Sequence, residues 1–120
     1  MQNLNQIRAR HVLEFAAFHP EIKGKNGGEV IKKIPPVMMN NGLLSALAYS
    51  MDKTNASWKI VFEGIAAHLA SDEVGKIPSD CNSAERLLEH LVSPETDSTL
   101  LRDVTAEAAA WLDFARRLVK

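Results

Sequence analysis

Apolar residues recur at helical spacing from the amino terminus onward. The first stripe consists of Leu4, Ile7, His11, Phe15 and Phe18, with His11 as its semi-apolar member. Steps of three and four residues place these side chains on one face of an α helix, so the spacing predicts a helix over residues 4–18. His19-Pro20 should end it, because proline disfavours the helical conformation in the residue before it.

Glycine and proline divide the next part of the chain. Residues 23–28 contain three glycines and show no periodicity, which predicts a loop. Residues 29–34 predict a short helix that runs into Pro35-Pro36, and a brief further helix should follow with Pro36 in its first turn. Asn40-Asn41-Gly42 should close that helix, because Asn and Gly tolerate the left-handed conformation that ends many helices.

Two further apolar stripes occupy the middle of the chain. The first consists of Leu43, Leu44, Leu47 and Met51. Alanines fill much of the remaining surface of this helix, which predicts that it is the most buried one. Asn55 can cap the next helix, whose stripe consists of Trp58, Phe62, Ile65 and Leu69.

The last third of the chain predicts a loop over residues 71–79 and then two helices. Asn82 and Glu85 match a capping box at the start of the first, whose stripe is Leu87, Leu88, Leu91 and Val92, and Pro94 should end it. A short turn is expected from Asp97 or Ser98 through Leu101. The final helix should begin near Thr105, with a stripe of Val104, Ala108, Trp111, Ala115 and Leu118.

No alternating run of β-branched and aromatic residues bounded by hairpin turns occurs in the chain. The pattern therefore predicts an all-α fold without a β-sheet, an irregular compact bundle of about five to seven helices. A length of 120 residues fits a single helical domain over residues 1–120.

Composition indicates a globular protein of the cytoplasm. The apolar fraction is 46% and the charged fraction 24%, and no apolar run approaches the roughly 18 residues that span a bilayer. The amino terminus lacks the basic and apolar regions of a secretory signal. Cys81 is the only cysteine, so one chain cannot form a disulfide or a thiolate zinc cluster.

Catalytic and metal-binding patterns are absent from the sequence. The four histidines, at positions 11, 19, 68 and 90, lack metal-ligand spacing, and no nucleophile elbow or phosphate-binding loop occurs. His11 is expected to be half-buried against a carbonyl, and His68 and His90 to be solvated. A helix amino terminus near Cys81 could lower the pKa of its thiol. The sequence predicts no enzyme, no metal and no cofactor.

Basic residues are the remaining candidates for function. Residues 1–53 contain seven Lys and Arg against four Asp and Glu, whereas residues 54–120 contain seven against eleven, so the two parts carry about +3 and −4. Phosphate contacts are expected from Arg8, Arg10, Lys32, Lys33, Lys53, Arg116 and Arg117. Because Trp58 and Trp111 lie on apolar stripes, base stacking is not expected, and any nucleic-acid contact should reach the backbone independently of base sequence.

Two segments carry a resemblance to a known family. Residues 32–49 read KKIPPVMMNNGLLSALAY, with Pro35 and Gly42 seven apart, and residues 105–117 read TAEAAAWLDFARR. Together with Arg8-Ala9 they resemble the small helical subunit of the type III-B CRISPR effector complex, the Cmr complex. Tyr49 stands at a position where that family more often has Phe.

The resemblance implies a non-catalytic subunit of an RNA-guided antiviral complex. Copies of such a subunit stack end to end beside the backbone subunits that hold the guide RNA, with a large polymerase-like subunit at one end. The backbone subunits cut the target RNA, so this chain would position RNA rather than cleave it. Its expected partners are those subunits, copies of itself, and guide and target RNA through the complex.

Two other functions remain open from the residues. A generic helical adaptor could bind another protein through an apolar groove without any RNA role. A helix-turn-helix DNA-binding protein could use Asn40-Asn41-Gly42 as its turn, although the Leu- and Ala-rich helix that follows offers few side chains to read base edges.

Overall fold

Five α helices and one short 3-10 helix form the chain in a computed structural model, which describes residues 3–22, 24–52 and 56–119 and gives residues 24–29, 40 and 41 by their backbone only. They are α1 (Leu4–Phe18), the 3-10 helix (Pro20–Ile22), α2 (Gly24–Tyr49), α3 (Ala56–Ala70), α4 (Ala84–Val92) and α5 (Ser98–Leu118). The described residues contain no strand, and the predicted all-α class is confirmed.

Local signals set both ends of α1. The backbone amide of Gln6 donates to Asn3 Oδ1 at 2.9 Å, and the Asn3 amide donates to Gln6 Oε1 at 2.8 Å. This reciprocal capping box satisfies two amides that a helix start leaves without partners. The helix ends at Phe18 before His19 and Pro20, so the predicted bounds are confirmed.

The first half of α2 departs from the prediction. The helix begins at Gly24, and Pro35 and Pro36 lie inside it, so the loop over residues 24–28 and the break at Pro35 are wrong, while Lys23 lies outside the described residues. Each glycine weakens a helix by about 1 kcal/mol relative to alanine without preventing it. Proline fixes φ near the helical value, so the cost is chiefly in missing hydrogen bonds and crowding.

Gly42 divides α2 into two arms, residues 24–41 and residues 43–49. Its φ of 88° and ψ of 164° are not helical, and this conformation is essentially confined to glycine. An added Cβ would meet nothing within 4 Å, so the requirement for glycine comes from the backbone and not from packing. The predicted helix end at this position is confirmed.

The most buried helix is α3, and not the second arm of α2 as predicted. Its buried residues are Trp58, Val61, Phe62, Ile65, Ala66, His68, Leu69 and Ala70. On the second arm of α2, Leu43 and Leu47 are buried, whereas Ala48 and Tyr49 are exposed. The central position of α3 explains the difference, because it packs against α1, α2, α4 and α5. The predicted cap Asn55 lies outside the described residues.

The starts of α4 and α5 also differ from the prediction. Ser83, and not Asn82, caps α4, accepting from the Arg86 amide at 3.2 Å. Asp97 caps α5, which runs unbroken from Ser98, so the predicted separate turn is the first turn of the last helix. No proline or glycine lies between residues 98 and 105 to interrupt it.

A shared hydrophobic core joins all five α helices, and the Cα radius of gyration is 13.2 Å. Three of the helices approach one another closely at Gly64 on α3. A Cβ there would lie 2.5 Å from Phe15 Cδ1 and 3.1 Å from Trp111 Cη2. Glycine therefore lets α1 and α5 pack closely on α3.

Candidate interaction surfaces

A groove of about 580 Å³ lies where α2 approaches the start of α3. We call it the basic groove, and its lining residues are Lys32, Lys33, Pro36, Val37, Ser45, Tyr49 and Trp58. The first arm of α2 supplies both lysines, and the second arm supplies Ser45 and Tyr49. Gly42 lies between these arms, so its non-helical backbone sets how the two walls of the groove face each other.

Helical geometry places both lysines on the outer face of the first arm. Its inward stripe, Ile31, Ile34 and Met38, is buried in the core. Lys32 and Lys33 are exposed, and neither makes an ion pair or hydrogen bond with a side chain that the structure describes. Two ammonium groups without a described counter-charge, beside a concave surface, attract an anionic ligand.

Tyr49 gives the basic groove an aromatic wall. Its side chain belongs to a residue that is 52% exposed, and its ring meets the Trp58 ring edge to face, with centroids 4.7 Å apart and planes at 69°. Trp58 is only 8% exposed and belongs to the core. The edge-to-face contact with the indole thus helps to hold the phenol ring in place.

A second polar region, which we call the buried network, joins α1, α3 and α5. Glu107 on α5 is 4% exposed. Arg8 donates to both of its carboxylate oxygens, from Nε to Oε2 and from Nη2 to Oε1, each at 2.7 Å. His68 Nε2 lies 2.9 Å from Glu107 Oε2. The paired geometry of a guanidinium and a carboxylate makes this a strong, orienting contact.

The network continues from His68 to the protein surface. His68 Nδ1 lies 2.7 Å from His11 Nδ1, and His11 Nε2 lies 3.4 Å from Glu73 Oε1. Arg10 also binds Glu73. A neutral His68 that donates from Nε2 to Glu107 must accept at Nδ1. His11 therefore donates from its Nδ1 to His68 Nδ1.

Burial and partners act in opposite directions on the two innermost groups. Burial lowers the pKa of His68, in spite of its hydrogen bond to Glu107. Burial alone would raise the pKa of Glu107, but the hydrogen bonds from Arg8 and His68 hold that pKa below its usual range. At neutral pH the centre of the network is therefore a neutral imidazole beside an ionised carboxylate.

Two sequence predictions for histidine are corrected here. His68 is 2% exposed and is not solvated, because the last turns of α3 lie beneath α1 and α5. His11 is half-buried as predicted, but its partners are His68 and Glu73 and not a backbone carbonyl. In the described part of the chain, no group of three or more His, Cys, Asp and Glu is arranged to hold a metal.

The other predicted RNA-contact residues are spread over the molecule. Arg8 is committed to Glu107, and Arg10 pairs with Glu14 and Glu73. Arg116 and Arg117 on α5 both contact Asp113, at 3.0 and 3.7 Å, and Lys53 lies outside the described residues. Lys32 and Lys33 are the neighbouring pair of candidates whose charge is not matched by a described carboxylate, while the RNA contacts themselves remain predictions.

Cys81 does not have the activated thiol that its place before α4 suggested. Burial and the neighbouring Asp80 raise the pKa of the thiol. The amide groups at the start of α4 have other acceptors, since Ser83 and Glu63 accept from Arg86 and Ala84. The thiol therefore stays protonated at neutral pH.

Sequence reasoning missed Glu107 and the exposure of Tyr49. In the sequence, Glu107 looks like any carboxylate on the solvated face of a helix. Its partners Arg8 and His68 are 99 and 39 residues away in the chain, so no local pattern marks it as buried. Tyr49 belongs to a helix that its Leu and Ala content predicts to be buried. One signal was available for Tyr49: a two-residue step from the buried stripe at Leu47 places it on the opposite face of the helix.

A DNA-reading helix after Gly42 finds no support in the packing. Leu43, Ala46 and Leu47 on the second arm of α2 are buried, so that face is occupied by the core. A recognition helix needs its face free for base edges.

None of the helices in the part of the chain that the structure describes has the length and hydropathy to cross a bilayer.

Comparison with known proteins gives a family match. A family model described as CRISPR-associated protein (Cas_Cmr5) matches residues 4–120. No curated protein and no solved structure matches significantly. The matched range includes both the basic groove and the buried network, and it confirms the resemblance carried by residues 32–49 and 105–117.

Proposed function

The chain belongs to the Cas_Cmr5 family of CRISPR-associated proteins, and from this premise we propose that it is a non-catalytic subunit of a type III-B RNA-guided effector complex. Its role is to help hold guide and target RNA while other subunits carry out cleavage. Its partners are the backbone subunits, the large polymerase-like subunit and further copies of itself. The complex is proposed to act in the cytoplasm.

The basic groove supports the RNA role most directly. Lys32 and Lys33 are adjacent, exposed and without a described carboxylate partner, which suits contact with phosphates. Such contacts release counterions from the RNA and do not depend on base sequence. This is the requirement for a subunit that must accept any target that its guide selects.

Stacking of copies is proposed to occur head to tail. A contact between two different faces does not close as a two-fold dimer and extends into a ring or an open stack of copies. Opposite net charge in residues 1–53 and 54–120 and exposed apolar side chains on different helices, Phe18 on α1 and Val92 on α4, suit such a contact. Native mass spectrometry of complexes carrying Phe18→Ser or Val92→Ser should then show fewer copies per complex.

A generic adaptor without an RNA role is the second candidate. The exposed apolar residues fit it, but it gives no reason for the family match over residues 4–120. Nor does it explain two adjacent lysines that lack a described acidic partner and lie beside an aromatic wall. The RNA-guided assembly accounts for all three features.

Co-purification tests the proposal. A tagged chain expressed in its native host at moderate salt should recover backbone subunits together with a short guide RNA. A matched sample carrying Glu107→Gln, whose fold is weakened, should recover less of each. Recovery of the tagged chain alone, or with unrelated proteins and no RNA, would contradict assembly into a guide-bearing complex and would favour the adaptor.

A further inference from the structure

We infer that the basic groove binds an unpaired RNA nucleotide, with its base stacked on Tyr49 and its phosphates held by Lys32 and Lys33. The inference rests on the proposed RNA role of the lysines and adds an aromatic contact to it. The prediction from sequence excluded base stacking because both tryptophans lie on apolar stripes. Their burial is confirmed, but Tyr49 provides the exposed ring that they do not.

The groove has the parts that single-strand recognition requires. Tyr49 is 52% exposed and has an aromatic ring, on which any base can stack. Lys32 and Lys33 line the same groove. Proteins that bind single strands combine such a ring with a basic track for the backbone. The edge-to-face contact with Trp58, at 4.7 Å between centroids, fixes the Tyr49 ring before any ligand arrives.

Size and chemistry favour one nucleotide over other occupants. A groove of about 580 Å³ lies within the range of about 300–1,000 Å³ that small-molecule sites occupy, and it is much too small for a duplex. A paired base is stacked on both faces and cannot lie against Tyr49. Pro36 and Val37 add apolar surface to the groove, which a nucleobase can contact. An acidic peptide, whose carboxylates would bind only the lysines, would not use that surface.

Nuclear magnetic resonance of the full 13.2 kDa chain can separate stacking from phosphate attraction. The probes are a six-nucleotide oligoadenosine and an abasic ribose-phosphate chain of equal length and charge. The wild type should bind oligoadenosine roughly tenfold more tightly than the abasic chain. The Tyr49 ring protons should shift upfield only with oligoadenosine, because an adenine ring above them shields them.

Matched variants assign the effect to residues. Tyr49→Phe keeps the ring and should keep the tenfold preference, whereas Tyr49→Leu should bind both probes equally. Lys32→Gln with Lys33→Gln should weaken both probes alike and leave their ratio unchanged. Leu13→Ala, which shortens an exposed apolar side chain on α1, should change neither. Thermal unfolding of each variant checks that the fold is retained.

Several outcomes would overturn the inference. Equal wild-type binding of the two probes, or a preference that survives Tyr49→Leu, would remove the stacking role, while binding that still needs the lysines would leave the proposed RNA role standing. No binding of either probe would remove the nucleotide site. An oligoglutamate that perturbs Tyr49 as strongly as oligoadenosine would indicate an acidic protein partner in the groove instead.

Discussion

Arg8 and Lys33 are basic residues of the same amino-terminal part of the chain, yet they lie in opposite surroundings. Arg8 in the buried network donates two hydrogen bonds to a carboxylate that is 4% exposed. Lys33 in the basic groove faces water without a described acidic partner. The first positive charge is used inside the fold to join α1 to α5, and the second remains available to a ligand.

The difference teaches that a count of basic residues does not locate a binding surface. Seven candidate cations could be named from the sequence, and four of them, Arg8, Arg10, Arg116 and Arg117, have carboxylate partners within the chain. A paired cation must give up its partner before it can bind phosphate. The proposed RNA contacts therefore rest on the two lysines without a described acidic partner. The paired arginines form ion pairs within the fold.

The strongest way to break this comparison is to remove the charge of Glu107. Glu107→Gln keeps the shape of the side chain but leaves the Arg8 guanidinium largely buried beside a neutral amide. Breaking one side of a buried ion pair costs about 3–5 kcal/mol of unfolding free energy, which urea denaturation can measure. The control Asp113→Asn, at an exposed pair with Arg116, should cost about 0.5 kcal/mol or less. Equal losses would show that the network has no special structural role.

A smaller effect is expected from Gly42→Ala, which acts on the other region. A residue with a Cβ at φ 88° and ψ 164° is strained by about 1–3 kcal/mol. Because Gly42 sets the angle between the two arms of α2, the chemical shifts of Tyr49 should change as well. Ser45→Ala, on the second arm, is the control and should leave stability and Tyr49 unaltered. A fully stable Gly42→Ala protein would contradict the backbone requirement.

The buried network also predicts a pH dependence of stability. The pKa of His68 is lowered in the fold, so the unfolded chain binds more protons and stability falls as the pH drops below about 6.5. The lowered pKa of Glu107 continues that loss below about pH 5. Denaturation midpoints should therefore decrease from about pH 7.5 to about pH 5.

A variant isolates the contribution of the imidazole. His68→Gln should be less stable at about pH 7.5 but should show a smaller change between that pH and about pH 5.5. His90→Gln on α4, a residue outside the network, should show the wild-type change. An unaltered pH profile in His68→Gln would mean that other groups cause the decrease.

The smallest expected effect concerns salt and belongs to the basic groove. Replacing Lys32 and Lys33 by Gln should reduce the dependence of the logarithm of RNA affinity on the logarithm of salt concentration, by about 0.7 for each phosphate that the lysines neutralise. Fold stability should not change, because both side chains are exposed. Arg102→Gln, an exposed cation on α5, is the control. A salt slope identical to that of the wild type would show that neither lysine contacts phosphate.

Local pattern was sufficient where neighbours in sequence decide the structure. The bounds of α1, the stripe of α3 and the break at Gly42 follow from periodicity, the stop at His19-Pro20 and the presence of a glycine after two asparagines. The same reasoning failed at Pro35-Pro36 and before Thr105, where tertiary packing supports a longer helix than local signals suggest. The all-α class survived these errors because each correction joins or extends helices without creating a strand.

The two polar regions were predictable to different degrees. Lys32 and Lys33 could be named from the sequence because exposure follows from their position between the buried residues Ile31 and Ile34. The contacts of Glu107 could not, since they join positions 39 and 99 residues apart and appear only once α1, α3 and α5 pack. Long-range ion pairs leave no periodic signal, which is why Arg8 and Lys33 look alike in the sequence.

Capture of target RNA by the assembled complex tests the central claim most directly. Complexes reconstituted with Lys32→Glu and Lys33→Glu would be compared with complexes carrying Arg116→Glu and Arg117→Glu, which change the charge equally at a paired site, and RNA affinity would be measured at fixed salt. The account predicts a clear decrease in affinity for the lysine variant and a smaller one for the arginine variant, with assembly intact in both. Unchanged capture by a fully assembled lysine variant would contradict it.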